Sequence, residues 1–189
     1  MKKRNNLLFI GGLILASCNN NGGTMNQPAD TTASKMENAG TNTNDNSVSS
    51  KDADFVKDVI KSNDKELHLI GLAEQKAGRK DIKDVAMHME TDHKKLGDQM
   101  SNYASQHNIS VGVDSSDLKS DLDDKSKGSD WDKAWVNTLV DGHKKTIDKF
   151  ESAETNVSDS TLKTMIVNTL PTLRSHYDML EHIKDKMKE

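Results

Sequence analysis

From residue 52 onward, apolar residues return every three or four positions in four separate stretches, divided by charged and polar runs. That spacing puts them on one face of a helix. The first stretch, about 52–77, carries Phe55, Val59, Ser62, Glu66, Leu69 or Ile70, Ala73 and Ala77 on its stripe, and "GRK" at 78–80 reads as its stop. The second, about 81–107, carries Ile82, Ala86, Met89, His93, Leu96, Met100 and Tyr103. The third, about 130–154, carries Trp135, Leu139, His143, Thr146 or Ile147, and Phe150. The fourth runs from about 158 to the end, with Leu162, Ile166, Thr169, Leu173, His176, Leu180, Ile183 and Met187. No window has the alternation of a strand.

Short connections join the first stretch to the second and the third to the fourth, which forces antiparallel neighbours. The connection between the second and third is long, with Ser115 or Ser116 placed to cap a short helix over about 118–125. The predicted fold is all-α: a ferritin-like antiparallel four-helix bundle, with that short extra helix in a crossover. Pro171 falls inside the fourth helix, where the lost backbone donor predicts a kink.

Each stripe is broken once by a strongly polar residue: Glu66, His93, His143 and His176. An unpartnered buried carboxylate or imidazole costs several kcal/mol, and a domain's whole margin is only about 5–15 kcal/mol. The economical arrangement is for the four to meet one another, or to meet around an ion. Counted along the helices, Glu66, His93 and His143 reach similar heights, while His176 lies some 10 Å deeper at 1.5 Å per residue. Glu90, three residues before His93 in "ETDH", leans to the same face. The candidate metal ligands are therefore Glu66, Glu90, His93, His143 and His176. A His-rich, carboxylate-poor set suits a single zinc, copper or iron ion. The competing reading is a metal-free core of hydrogen-bonded histidines.

Other motifs narrow the field. "MHM" at 87–89 holds soft donors, but Met89 is on the core stripe and His88 off it. "DLDDKSKGSD" from Asp121 lacks the oxygen donor and glycine of a calcium loop at Lys125 and Ser126. His68, His107 and His182 read as surface residues, and Trp131 and Trp135 as core anchors. There is no nucleophile–base–acid set, phosphate loop or CxxC pair, so no catalytic residue is assigned.

Composition fits this reading. Of 189 residues, 30% are charged and only 4% aromatic, so the core is built from Leu, Ile, Val, Met and Ala. The chain lacks the basic excess of a nucleic-acid binder. Residues 1–17 form a signal peptide, with "MKKRNN", an apolar run too short to span a bilayer, and "LASC" at 15–18. Cys18, the only cysteine, stands where a lipoprotein is lipidated. Removing Lys2, Lys3 and Arg4 takes the formal charge from −4 to −7, so the lipid rather than anionic headgroups would anchor the chain. Residues 18–51 are an Asn-, Ser- and Thr-rich tether reaching roughly 30 Å on average, and 52–189 form the helical domain. Asn19, where Asp would signal inner-membrane retention, favours the outer membrane.

Three segments carry a family resemblance: "DADFVKDVIKSNDKELHLIGLAEQKAGRKDIKDVAMHMETDHKKL", "WDKAWVNTLVDGHKKTIDKFE" and "LPTLRSHYDML". They resemble the domain-of-unknown-function 4142 family. The resemblance implies an exported, ferritin-like four-helix bundle and no established activity. The chain departs from a full di-iron pattern: the third helix offers His143 in place of a Glu, and Leu173-Arg174-Ser175-His176 has no Glu three before the His. That argues against oxidase chemistry. The expectation is a cell-envelope lipoprotein, not an enzyme, whose core binds a metal ion in a binding or stress-related role. The alternative is a metal-free structural or protein-interaction module of the envelope.

Overall fold

The computed structural model describes residues 48–188. The signal peptide, Cys18 and most of the tether lie outside the described residues. Within them the chain forms helices α1 (Ser50–Lys76), α2 (Lys80–Gln106), α3 (Ser115–Leu118), α4 (Asp121–Asp124), α5 (Ser129–Asn156) and α6 (Ser160–Lys186), and no strand. The four long helices fall within about two or three residues of the expected stretches. α1 starts at Ser50, capped by the Ser49 hydroxyl, which accepts from the Asp52 amide at 3.1 Å. The connection differs from the single helix expected after Ser115 or Ser116. It holds two one-turn helices, with Asp114 and Ser120 as their caps and a capping box at each.

Two apolar clusters make up the core. One joins Leu69, Ile70, Ala73, Ile82, Met89, Trp131, Trp135, Leu139 and Leu180 with their neighbours. The other joins Val56, Val59, Leu96, Met100, Phe150, Leu162, Ile166 and Leu173 with theirs. α1 and α6 enter the second cluster first and leave through the first, while α2 and α5 run the other way. Packed neighbours, α1 on α2, α5 on α6, α2 on α6 and α1 on α5, are therefore antiparallel. The connection from α2 to α5 must return along the length of the helices, as a crossover does.

Buried carboxylates lock the ends. Asp132, in the first turn of α5, accepts from the backbone amides of Gly78 (3.0 Å) and Arg79 (3.2 Å), at the α1–α2 junction. Asp52, in the first turn of α1, accepts from Ser158 (3.1 Å) and Asp159 (3.0 Å), at the α5–α6 junction. Lys76 gathers the carbonyls of Leu122 (3.0 Å), Asp123 and Lys125 (3.2 Å), pinning the crossover. The tryptophans are anchors, as expected. Both are fully buried, with Trp131 Nε1 donating to the Leu122 carbonyl at 3.1 Å and Trp135 Nε1 to that of Leu69 at 2.8 Å. His68 is not a free surface residue, because its Nε2 lies 2.7 Å from Asp123 Oδ1. No helix among the described residues is long and apolar enough to cross a membrane.

Candidate metal centre

Between the two apolar clusters lies one polar layer. α1 contributes Asn63 and Glu66, α2 His93, α5 His143 and α6 His176. The three histidines are buried, with relative exposures of 2%, 0% and 1%. Their ring centroids form a nearly equilateral triangle: 5.6 Å from His93 to His143, 5.3 Å from His93 to His176 and 5.5 Å from His143 to His176. One ring nitrogen from each lies within 4.8 Å of the others. The depth offset expected for His176 does not arise, and α6 continues helical through Pro171 to bring it level.

In each ring one nitrogen is held and the other is left over. His93 Nδ1 lies 3.0 Å from Asn63 Oδ1, His143 Nδ1 3.0 Å from the Leu139 carbonyl, and His176 Nε2 2.9 Å from Asp92 Oδ2. His93 Nε2, His143 Nε2 and His176 Nδ1 are buried with no protein hydrogen-bond partner. A ring whose far N–H is held by a carboxylate, amide or carbonyl, with its near nitrogen free, is the form in which histidine meets a metal. Left unpartnered, the three nitrogens would cost about 1–3 kcal/mol each. The residues therefore fit an ion.

Glu66 completes one side. Its Oε1 lies 2.8 Å from His143 Nδ1, and its side chain is 12% exposed. The His143 N–H cannot point at both Glu66 and the Leu139 carbonyl. It aligns on the carbonyl, so Glu66 acts on His143 chiefly through charge and Oε1 has no aligned donor. A cleft of about 390 Å³ between α1 and α5 reaches Glu66, flanked by Lys65 and Lys145.

Glu90 stands apart. It pairs with Lys94 at 2.6 Å on the outer face of α2, its side chain 37% exposed, and does not join the histidines. Three residues N-terminal to His93 leans it toward the layer's edge, but solvent and the lysine four residues on hold it outside. The sequence reading missed Asn63 and Asp92, which orient His93 and His176. Asn63 sits three residues before Glu66, the same-face spacing that would have marked it. Gly97 makes its place: a Cβ there would come within 2.9 Å of Asn63 Nδ2.

Charge is unevenly shared across the layer. Burial holds His176 down from its ordinary 6.5 to about 4; the Asp92 hydrogen bond offsets this in part, and His93 and His143 add repulsion. Burial also lowers His93, against the pull of Glu66. Burial would lower His143 too, but the Glu66 carboxylate and the Leu139 carbonyl outweigh it and raise the ring above its ordinary value. Burial pushes the Glu66 carboxyl up, but His143 first, then His93 and His176, hold it below its ordinary range. In the metal-free layer positive charge is thus favoured on His143, beside Glu66, and disfavoured on His93 and His176.

A pH dependence follows. Unfolded His176 takes up a proton below about 6.5, whereas the folded ring resists until about 4. Its contribution is fully present above 6.5 and is lost as pH falls to 4, by as much as about 3 kcal/mol. His93 acts in the same direction. The raised His143 contributes fully below 6.5 and loses its share only as pH rises, so it does not cancel the fall. Urea unfolding of the metal-free protein at pH 7 and 4.5 should show the lower stability at pH 4.5. Equal stabilities would contradict the assigned protonation states.

The fold and this layer define a class: an all-helical domain with a buried three-histidine centre. The family described as Domain of unknown function (DUF4142) matches residues 37–183, and the chain belongs to that family. Among solved structures, a DUF305 fragment from Deinococcus radiodurans is similar with a TM-score of 0.62 and 9% identity, covering 74% of this chain and 99% of that one. CopM in the Cu(II)-bound form is similar with a TM-score of 0.58 and 12% identity, covering 71% of this chain and 96% of that one. These likenesses are of fold alone. No curated protein matches the chain.

Proposed function

We propose that the chain is an envelope lipoprotein whose ferritin-like four-helix bundle binds one late-transition ion, copper or zinc, through His93, His143 and His176, with Glu66 balancing the charge. The observation that carries this is a set of three buried histidines from three helices that offer ligand atoms within 4.8 Å of one another, each ring with one nitrogen held and the other unpartnered. Neutral imidazoles suit copper, zinc and iron alike, but the general affinity order places Cu(II) highest. The fold it shares with a protein solved in a Cu(II)-bound form supports the same direction. Cys18 and the tether would hold this centre at the membrane surface. The role we assign is binding rather than catalysis, because Glu66 and Asp92 each adjoin a different ring, His143 and His176, and do not form the bridging carboxylate set of a di-iron site.

Titrating the purified protein from residue 19 onward with Cu(II) and Zn(II) tests the reading. One ion per chain should bind. Binding should weaken as pH falls, because a ligand nitrogen must be free of its proton. Glu66→Gln should weaken binding roughly tenfold or more. Absence of binding for every ion tried would leave the layer as a metal-free structural core.

A further inference from the structure

A second group of donors shares one ring with the buried centre. His88, Asp92 and His176 each place one ligand atom within 4.8 Å of the others. His176 Nε2 is 2.9 Å and His88 Nε2 is 3.8 Å from Asp92 Oδ2, and the two rings lie edge to face at 5.9 Å. Exposure falls steadily inward: 61% for the His88 side chain, 34% for Asp92 and 1% for His176. A cleft of about 20 Å³ touches Asp92, His93 and His176 beside Thr169 and Thr172, space for about one water or one bare ion.

From this we infer that His88, Asp92 and His176 form an ion-capture site at the surface, between α2 and α6, through which a transition ion is loaded into the buried centre. The inference rests on the metal-binding reading above. His176 offers Nε2 outward and Nδ1 inward. A neutral imidazole has one lone pair, on one nitrogen at a time. Holding the ion outside therefore requires a proton on Nδ1; holding it inside requires the proton on Nε2, where Asp92 accepts it. The two sites use opposite tautomers of one ring, so they are filled in turn rather than together. Asp92 serves both, as a ligand when the ion is outside and as the acceptor that fixes His176 when it is inside. His88, exposed and four residues before Asp92 on the same helix face, makes the first contact. The Glu66 side has the wider cleft, but none of the three histidines lines it, whereas His93 and His176 both line the cleft beside Asp92.

The test compares the full chain with His88→Ala, His93→Leu and the double variant, using Cu(II) alone as probe. His88 is a surface residue, so its truncation leaves the fold intact. His88→Ala should keep the stoichiometry and final affinity of the parent but load at least about tenfold more slowly in stopped-flow absorbance. His93→Leu should still take up one Cu(II), more weakly, with two nitrogen ligands in its electron paramagnetic resonance spectrum, and the double variant should lose it. A His88→Ala chain that loads at the parent rate overturns the proposal, as does a His93→Leu chain that binds no Cu(II) while the parent binds one; both leave the buried centre standing. Parent binding that is insensitive to His93→Leu but lost in His88→Ala would instead overturn the buried centre and leave the surface site.

Discussion

With Cu(II) or Zn(II) present in large excess, the parent should melt roughly 10 °C above its metal-free form, and His93→Leu should lose most of that rise. An ion bound only by the folded state at about a thousand times its dissociation constant stabilises by about 4 kcal/mol. For a domain of this size that is worth roughly 2–4 °C per kcal/mol. Removing His93 takes away one of three imidazole ligands, whose ring lies 5.6 Å from that of His143 and 5.3 Å from that of His176. The metal-free variant is informative as well. Leu removes the unpartnered Nε2 but leaves Asn63 Oδ1 without its partner, so the two effects oppose each other at about 1–3 kcal/mol each. The double variant His93→Leu with Asn63→Leu should exceed the metal-free parent in stability, since it removes the orphaned His93 Nε2 and Asn63 Nδ2 without leaving Asn63 Oδ1 unpaired. A parent indifferent to copper, zinc, iron and manganese, together with a clearly destabilised His93→Leu chain, would show that the histidines hold the core by hydrogen bonding alone.

Cys18→Ser should move the protein from the membrane fraction to the soluble one, or leave it unprocessed. Processed before Cys18, the chain would carry a formal charge of −7 and gain nothing from anionic lipid. No described helix can span the bilayer, so the acyl chains expected on Cys18 are the anchor this reading provides. The change should be close to all-or-none, because stable attachment needs more than one lipid chain and the cysteine carries them all. Fractionation followed by an alkaline wash reads it directly. A processed variant that stays with the membrane as firmly as the parent would overturn the lipid anchor.

Much of the helical framework is legible from spacing. The long helices follow from apolar residues at three- and four-residue intervals, with a stop at "GRK" and a break between about 154 and 158, and their observed limits differ by about two or three residues. Interruption of each stripe also marked the layer: Glu66, His93, His143 and His176 are polar where their neighbours one turn away are buried. The connection was harder to read. Asp114 and Ser120 each cap a single turn, and so short a helix leaves no periodic stripe to detect.

The chain by itself determined that four amphipathic helices form, and that each interrupts its apolar stripe with a strongly polar side chain, because local spacing and side-chain type decide both. Only the tertiary structure decided which polar residues meet. Glu90 and Glu66 look equally eligible in sequence, but Glu90 lies on the solvent edge of α2 beside Lys94, while Glu66 faces the α1–α5 seam against His143. Asn63 and Asp92 gain their meaning from helices distant in sequence: Asn63 from His93, thirty residues away, and Asp92 from His176, eighty-four away. The depth of His176 was likewise beyond reach, because residue counts along one helix do not fix its height against another. Packing of α6 on α2 and α5 fixed that height, and with it brought the third imidazole to the other two.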